Sequence, residues 1–273
     1  MTAKKIGVVS LGLIGGSLLK ALATEGFELF AVTRNQQTIE NAKAYTKNVS
    51  SDLMLLKDCD VVFVCSPMSK TLDVLDALEK VVMPSAIVAD VCSLKEFVMQ
   101  KERPYIFIGS HPMAGTENSG FEASFRKLFE GANWVLTPSK NADTGSVKEL
   151  ENIIKKTGAK TLVMAPDVHD RAVALISHMP MLVAQALVKT AMKDENAIKI
   201  ASSGFRDMTR LALSNTRMAE DMVLMNSKNI SESLISLIEC ARDLLNENYP
   251  QEIETIRDFR IGMYNSQGKN ISN

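Results

Sequence analysis

Lys5-Ile-Gly-Val-Val-Ser-Leu-Gly-Leu-Ile-Gly-Gly-Ser-Leu-Leu19 decides the fold. Ile6 to Leu11 is a short apolar run with Val8 and Val9 inside it, which suits a strand buried on both faces. Gly12, Gly15 and Gly16 follow at once, and Ser17 to Ala23 reads as a helix. Strand, glycine turn and helix bring free backbone N–H groups and the positive end of a helix dipole to one point, which suits a pyrophosphate. Gly12 would let the backbone approach the phosphates, and Gly15 or Gly16 would let the helix pack closely on the strand. Gly12, Leu13, Ile14 and Gly15 are therefore the expected dinucleotide-binding turn. Ser10 stands where the usual G-x-G-x-x-G has its first glycine, so an ordinary tight βα turn is the competing reading.

Glu28 to Thr33 reads as the second strand. A dinucleotide fold places a ribose-recognition residue about 20 positions past the glycines. Thr33, Arg34 and Asn35 stand there, with no acid to accept from a free 2′-hydroxyl. Arg34 is a fork of donors suited to a 2′-phosphate, and Thr33 adds a hydroxyl. The expected cofactor is NADP, with NAD as the alternative.

Further strands are expected at Val61–Cys65, Ala86–Val91, Tyr105–Ile108, Trp134–Leu136 and Thr161–Met164, with helices between them. The alternation predicts an α/β fold, a Rossmann-type doubly wound parallel sheet with helices on both faces. Ligands bind outside the carboxyl ends of such strands. The loops at Gly12–Gly16, Thr33-Arg34, Ser66-Pro67, 90–93 and 109–112 should therefore converge, with Ser66 and Pro67 also against the cofactor. After Pro166 the sequence reads as helices alone. One is expected at 168–192 with a kink at Pro180, a second over about 207–213, and two more marked by Ile230–Leu244 and Ile253–Phe259. A boundary is placed near Ala165, giving a dinucleotide-binding domain over 1–165 and an all-α domain over 166–273. The residues from about Ser266 read as disordered.

The 273 residues are 46% hydrophobic and 23% charged, with a net charge of -1, a globular composition that gives no support for a nucleic-acid partner. Four cysteines without C-x-x-C spacing fit a reducing, cytoplasmic setting and carry no zinc signature. Lys4-Lys5, the apolar run and Ala21-Leu-Ala23 imitate a secretion signal, but Gly-Leu-Ile-Gly-Gly would break its apolar region. No apolar run approaches the ~18 residues of a membrane span. The apolar stripes after Pro166 exceed what one small domain buries, which suggests a homodimer.

Three histidines are present. His111, in Gly109-Ser-His-Pro-Met-Ala-Gly115 after a strand, is placed to act as a base in the crevice. His178, in Ser177-His-Met-Pro180, lies on an apolar helix face, and His169 sits in a first helical turn beside Asp170. His178 reads first as a satisfied core residue, and His169 reads equally well as helix-end polarity. Ser93 follows a strand end and could bridge a catalytic imidazole and a nicotinamide amide group. With Glu96 three residues on, it also reads as a capping box. Arg206 and Arg210 stand four apart and would share one side of a helix, suited to a ligand with two carboxylates. Surface pairing with Asp207 is their plain alternative. Thr116 and Glu117, in a polar turn past His111, read as a gate or a substrate contact.

Taken together, Leu11-Gly-Leu-Ile-Gly-Gly-Ser17, Asp90-Val-Cys-Ser-Leu-Lys95, Ser110-His-Pro-Met-Ala-Gly-Thr-Glu-Asn-Ser-Gly120, Trp134-Val-Leu-Thr-Pro138, His169-Asp170, Ser177-His-Met-Pro180 and Gly204-Phe-Arg-Asp-Met-Thr-Arg210 resemble the prephenate/arogenate dehydrogenase family of tyrosine biosynthesis. The resemblance runs from about Lys5 to Phe259. It implies an oxidative decarboxylation of prephenate or of its amino counterpart arogenate. His111 would accept the hydroxyl proton, and Ser93 would position His111 against the nicotinamide. Arg210, supported by Arg206, would hold a substrate carboxylate, His178 would shape the pocket, and Glu117 would lie at the entrance. The family also dimerises through its helical domain. Met181 stands where many prephenate-specific members carry a second histidine, which leaves arogenate open. Rival readings are a β-hydroxyacid dehydrogenase, which would need a catalytic lysine in the helical domain, and a non-catalytic NADPH-binding sensor.

Overall fold

The computed structural model describes residues 3–245 and 249–265, so the expectation from Ser266 onward lies outside the described residues. Eight strands form one sheet: β1 (Lys5–Val9), β2 (Glu28–Val32), β3 (Asn48–Ser50), β4 (Val61–Val64), β5 (Ile87–Asp90), β6 (Ile106–Pro112), β7 (Asn133–Pro138) and β8 (Lys160–Val163). Their order is β3-β2-β1-β4-β5-β6-β7-β8. The chain winds outward from β1 in both directions, so the strand order reverses beside the glycine turn, and the crevice opens there. The central strands are buried on both faces. Leu18, Leu22, Phe63, Trp134 and Leu150 fill one side, and Val62, Leu75, Leu78, Tyr105 and Phe107 fill the other.

The strands from β3 through β6 are parallel. The sequence reading expected the same of all, but β7 runs antiparallel to β6, and β8 lies parallel to β7. A parallel return needs a crossover, usually helical, and residues 113–132 contain turns and no helix. The reversal has a functional result. β6 pairs with β5 only as far as Ile108, yet β7 carries it on to Pro112, with His111 opposite Val135. His111 therefore sits inside a strand rather than on the loop expected after it.

At the end of β1, Ser10 adopts φ 68, the left-handed region that favours glycine. Its N–H donates to the Val32 carbonyl at 2.8 Å. A Cβ on Gly15 would collide with the Ser10 carbonyl, so the helix α1 (Leu13–Leu22) closes on the strand only because residue 15 has no side chain. Ser10→Gly is expected to stabilise the fold by about 0.5–1 kcal/mol, since it relieves the positive φ at the cost of some unfolded-state entropy. Chemical denaturation measures this, and a loss of stability would show that the Ser10 side chain stabilises the turn.

The remaining helices of the sheet domain are α2 (Gln36–Ala42), α3 (Met68–Leu78) and α4 (Thr144–Lys155). After β8 the described residues form helices only: α5 (Pro166–Val173), α6 (Met179–Ala191), α7 (Glu195–Lys199), α8 (Ser203–Thr209), α9 (Thr216–Met225), α10 (Ser227–Asp243) and α11 (Tyr249–Asn265). The single kinked helix expected over 168–192 is broken by a π turn at Ala174–His178, which ends two residues before Pro180. Proline has no N–H to bond back to Ile176, and the wider turn absorbs that gap. The extra residue also shifts the buried stripe. Leu175 and Ile176 face outward, while Val173, Ala174, His178 and Met181 are buried. The run 166–191 is long and apolar enough to cross a membrane by composition, against the sequence expectation. Here it is folded against α10 and carries buried His169, Asp170 and His178. The short α7 and α9 were absent from the sequence reading. Each is started by a side-chain cap, from Asp194 and Asn215 respectively.

Candidate active site

The site begins with a buried ion pair. Lys95 and Asp90 both have fully buried side chains, and the Lys95 ammonium bonds the Asp90 carboxylate and the Ser110 carbonyl, the latter at 2.6 Å. Asp90 also accepts the backbone N–H groups of Cys92 at 2.8 Å and Ser110 at 3.1 Å. Trp134 Nε1 donates to Ser110 Oγ at 3.0 Å. The ends of β5 and β6 are thus locked together one residue before His111.

The first helix of the α domain closes over this platform. Asp170 accepts the backbone N–H groups of Lys95 at 2.8 Å and Glu96 at 2.9 Å. Its neighbour His169 places Nδ1 2.7 Å from the Asp170 carboxylate and Nε2 2.9 Å from His111 Nδ1. On the other side, Asn226 Nδ2 donates to the Asp170 carbonyl at 3.0 Å and lies 3.2 Å from His178 Nδ1. All three histidines therefore belong to one network spanning both domains.

Burial holds the His111 imidazole well below its ordinary pKa, and the nearby His169, Lys95 and His178 add to the effect. Burial likewise lowers His178 to about 4, against the opposing pull of the Asp170 carboxylate. His111 is thus neutral at pH 7, as a base must be.

The structure corrects the expectations for Ser93. The stretch 91–100 forms turns, so the capping box with Glu96 does not form, and the N–H groups it would have served go to Asp170. Nor does Ser93 bond His111, whose Nδ1 is taken by His169. Ser93 is half-buried at the β5 end, and its hydroxyl makes no hydrogen bond among the described residues. His178 is buried against Asn226, while Thr116 and Glu117 lie exposed in the turn beyond β6. Arg206 and Arg210 are not joined to the histidine network in this chain. Arg206 pairs with Asp207 at 3.5 Å on the surface. Arg210 ends α8 and opens a 3-10 turn at Arg210–Leu213, so the two do not share one continuous helix as expected. Lys95, Asp90 and Asn226 were missed by the sequence reading. The spacing of Asp90 and Lys95 was on view, but their pairing needs the tertiary fold.

The other side of the crevice fits a dinucleotide. Gly12 caps α1 with no side chain bonding the helix end, and the space where its Cβ would sit is open. Anionic oxygens would meet the free N–H groups of residues 13–15 there. Arg34 is exposed at the end of β2, with no ion pair among the described residues, and Thr33 is half-buried beside it. Ser66, bonded to Thr71 at 3.0 Å, and Pro67 cap α3 at the end of β4.

Residues 18–163 match the family described as prephenate dehydrogenase, nucleotide-binding domain, and residues 165–258 match prephenate dehydrogenase, dimerization domain. The chain belongs to the prephenate dehydrogenase family. A prephenate dehydrogenase of Bacillus subtilis is 31% identical, with the match covering 94% of this chain and 75% of the relative. The crystal structure of Synechocystis arogenate dehydrogenase is 33% identical with TM-score 0.80, covering 96% of this chain and 98% of that one. Prephenate dehydrogenase from A. aeolicus, solved in complex with hydroxyphenyl propionate and NAD+, is 27% identical with TM-score 0.82, covering 97% and 99%. The resemblance read from the motifs is thereby established, as are an oxidoreductase fold and a nicotinamide cofactor for the family.

Proposed function

We propose that this chain oxidatively decarboxylates prephenate to 4-hydroxyphenylpyruvate in tyrosine biosynthesis. The observation that carries the proposal is His111, half-buried at the carboxyl edge of the sheet and kept neutral by its surroundings. The cofactor, when bound, accepts the hydride from the ring carbon that bears the hydroxyl. As that hydride leaves, positive charge builds at the carbon, and His111 Nε2 relieves it by taking the hydroxyl proton. The ring carboxylate departs as CO2, the ring becomes aromatic, and the proton returns from His111 to the phenolate oxygen. Arg210, with Arg206 in support, holds a substrate carboxylate. His178 shapes the pocket floor, and Thr116 and Glu117 stand at its entrance. Ser93, whose hydroxyl has no partner among the described residues, is assigned to the nicotinamide amide group.

A second substrate is favoured by one observation. Met181 is buried at 2% exposure in an apolar cluster with Met68, Cys92 and Leu94. It supplies no second imidazole for a keto-acid side chain, which supports use of arogenate, giving tyrosine directly. Initial rates with prephenate and with arogenate in separate reactions, followed through the reduced nicotinamide, test both readings. NADPH binding without turnover of either substrate would identify a sensor instead.

NADP is the preferred cofactor in this proposal, on the strength of Arg34 and Thr33. Arg34→Ala is expected to raise KM for NADP by about tenfold or more, the loss of a charge-assisted contact, while leaving NAD kinetics within about twofold. Wild-type kinetics as good with NAD as with NADP would sink the assignment. A homodimer through the α domain is supported by the exposed Leu224, Ile235, Ile253 and Phe259. Light scattering at micromolar concentration tests it. The cytoplasm is the proposed location.

A further inference from the structure

The arrangement of His111, His169 and Asp170 goes beyond the assignment of a base. We propose that His169, held by Asp170, is a positioning residue that dictates which nitrogen of His111 is free to take a proton. The inference rests on the dehydrogenase reading for its kinetic consequence, but its structural content stands on geometry alone.

The hydrogens along this chain of contacts fix the tautomers. A carboxylate oxygen accepts only, so the 2.7 Å contact with Asp170 requires a proton on His169 Nδ1. With one N–H on the His169 ring, Nε2 is left as an acceptor. The atom 2.9 Å from it, His111 Nδ1, must then be the donor. His111 consequently bears its proton on Nδ1, and Nε2 presents a bare lone pair. A different tautomer would set two donors or two lone pairs against each other in a buried place, which costs free energy.

The rest of the network keeps Asp170 in this role. Its carboxylate is already fixed by the Lys95 and Glu96 N–H groups, and its carbonyl by Asn226. His169 is 1% exposed, so water does not compete for either nitrogen. The rings of His111 and His169 meet edge to face, 5.1 Å between centroids at 76°, so one nitrogen points at the other ring's edge. A serine bonded to His111 Nδ1 could accept or donate and would leave the tautomer undecided. A histidine backed by a carboxylate leaves no choice.

The test uses the whole protein with its histidines labelled with 15N. Imidazole nitrogen shifts at pH 7.5 are expected to show His111 protonated at Nδ1 and bare at Nε2, with the resonance assigned by its loss in His111→Asn. In His169→Gln the amide can turn either way, so the Nε2–H form of His111 should appear. Its kcat should fall about 2- to 10-fold, with KM changed by less than about threefold, because the base stays in place but Nε2 is protonated in half or more of the molecules. A wild-type His111 protonated at Nε2 overturns the proposal. So does a His169→Gln variant with unchanged tautomer and full kcat. Failure of the wild type to turn over prephenate or arogenate would instead count against the dehydrogenase reading, and the nitrogen shifts would still decide the role of His169.

Discussion

His111→Asn is expected to lower kcat by about 10²- to 10⁴-fold, the usual worth of a positioned general base, with KM changed by less than about threefold. Asparagine keeps a polar group of similar reach near His169, so the fold and the carboxylate contacts should survive. What disappears is the lone pair that takes the hydroxyl proton while the hydride leaves. The same assignment fixes the pH dependence. Only the neutral imidazole can accept a proton, and burial, aided by His169, Lys95 and His178, keeps its folded-state pKa well below 6.5. In the wild type, kcat/KM should therefore stay level from neutral pH down past 6.5 and fall only as the pH drops through the depressed value. His111→Asn should lack that acid limb. Near-normal turnover in the variant would remove His111 as the base.

Asp90→Ala is expected to cost about 3–5 kcal/mol of stability, because it leaves the Lys95 ammonium buried without its carboxylate. Two backbone donors, the N–H groups of Cys92 and Ser110, lose their acceptor at the same time. Set against a total of about 5–15 kcal/mol for a typical protein, that loss would bring the fold close to its limit. Urea denaturation of variant and wild type measures it. The double replacement Asp90→Leu with Lys95→Met removes both charges, and more than about half of the lost stability should return, since apolar replacements of a buried pair are often tolerated. A loss below about 1 kcal/mol in Asp90→Ala would mean that water reaches Lys95 and that the platform under His111 is softer than its burial indicates.

The parallel core was legible because its cause is local. Ile6, Val8, Val61 and Val64 are buried on both faces and read as unbroken apolar runs, and each is followed by punctuation from Gly12 or Pro67. The turn of the sheet at β7 was not legible. Trp134 and Val135 have the same composition whichever way the strand runs, and only the missing helix between 113 and 132 decides it. His111 was legible by its place in the chain, and its partner was not. His169 and Asp170 are 58 and 75 residues from the groups they bind, His111 and the Lys95 N–H, so no spacing rule joins them. The same reason explains Ser93. Its capping pattern with Glu96 is locally sound, but Asp170 satisfies those donors from another domain, and a tertiary contact overrode a local one.

That borrowed cap also determines what can be exchanged within the family. The half of the chain that receives the dinucleotide contains His111, but the groups that set its proton, His169 and Asp170, come from the other half, and Asn226 braces them from farther still. A hybrid joined at the boundary near Ala165 would inherit its cofactor choice from one parent and the state of its base from the other. Compatibility between the parents would be judged at the backbone of Lys95 and Glu96, where a graft must present a carboxylate to be accepted.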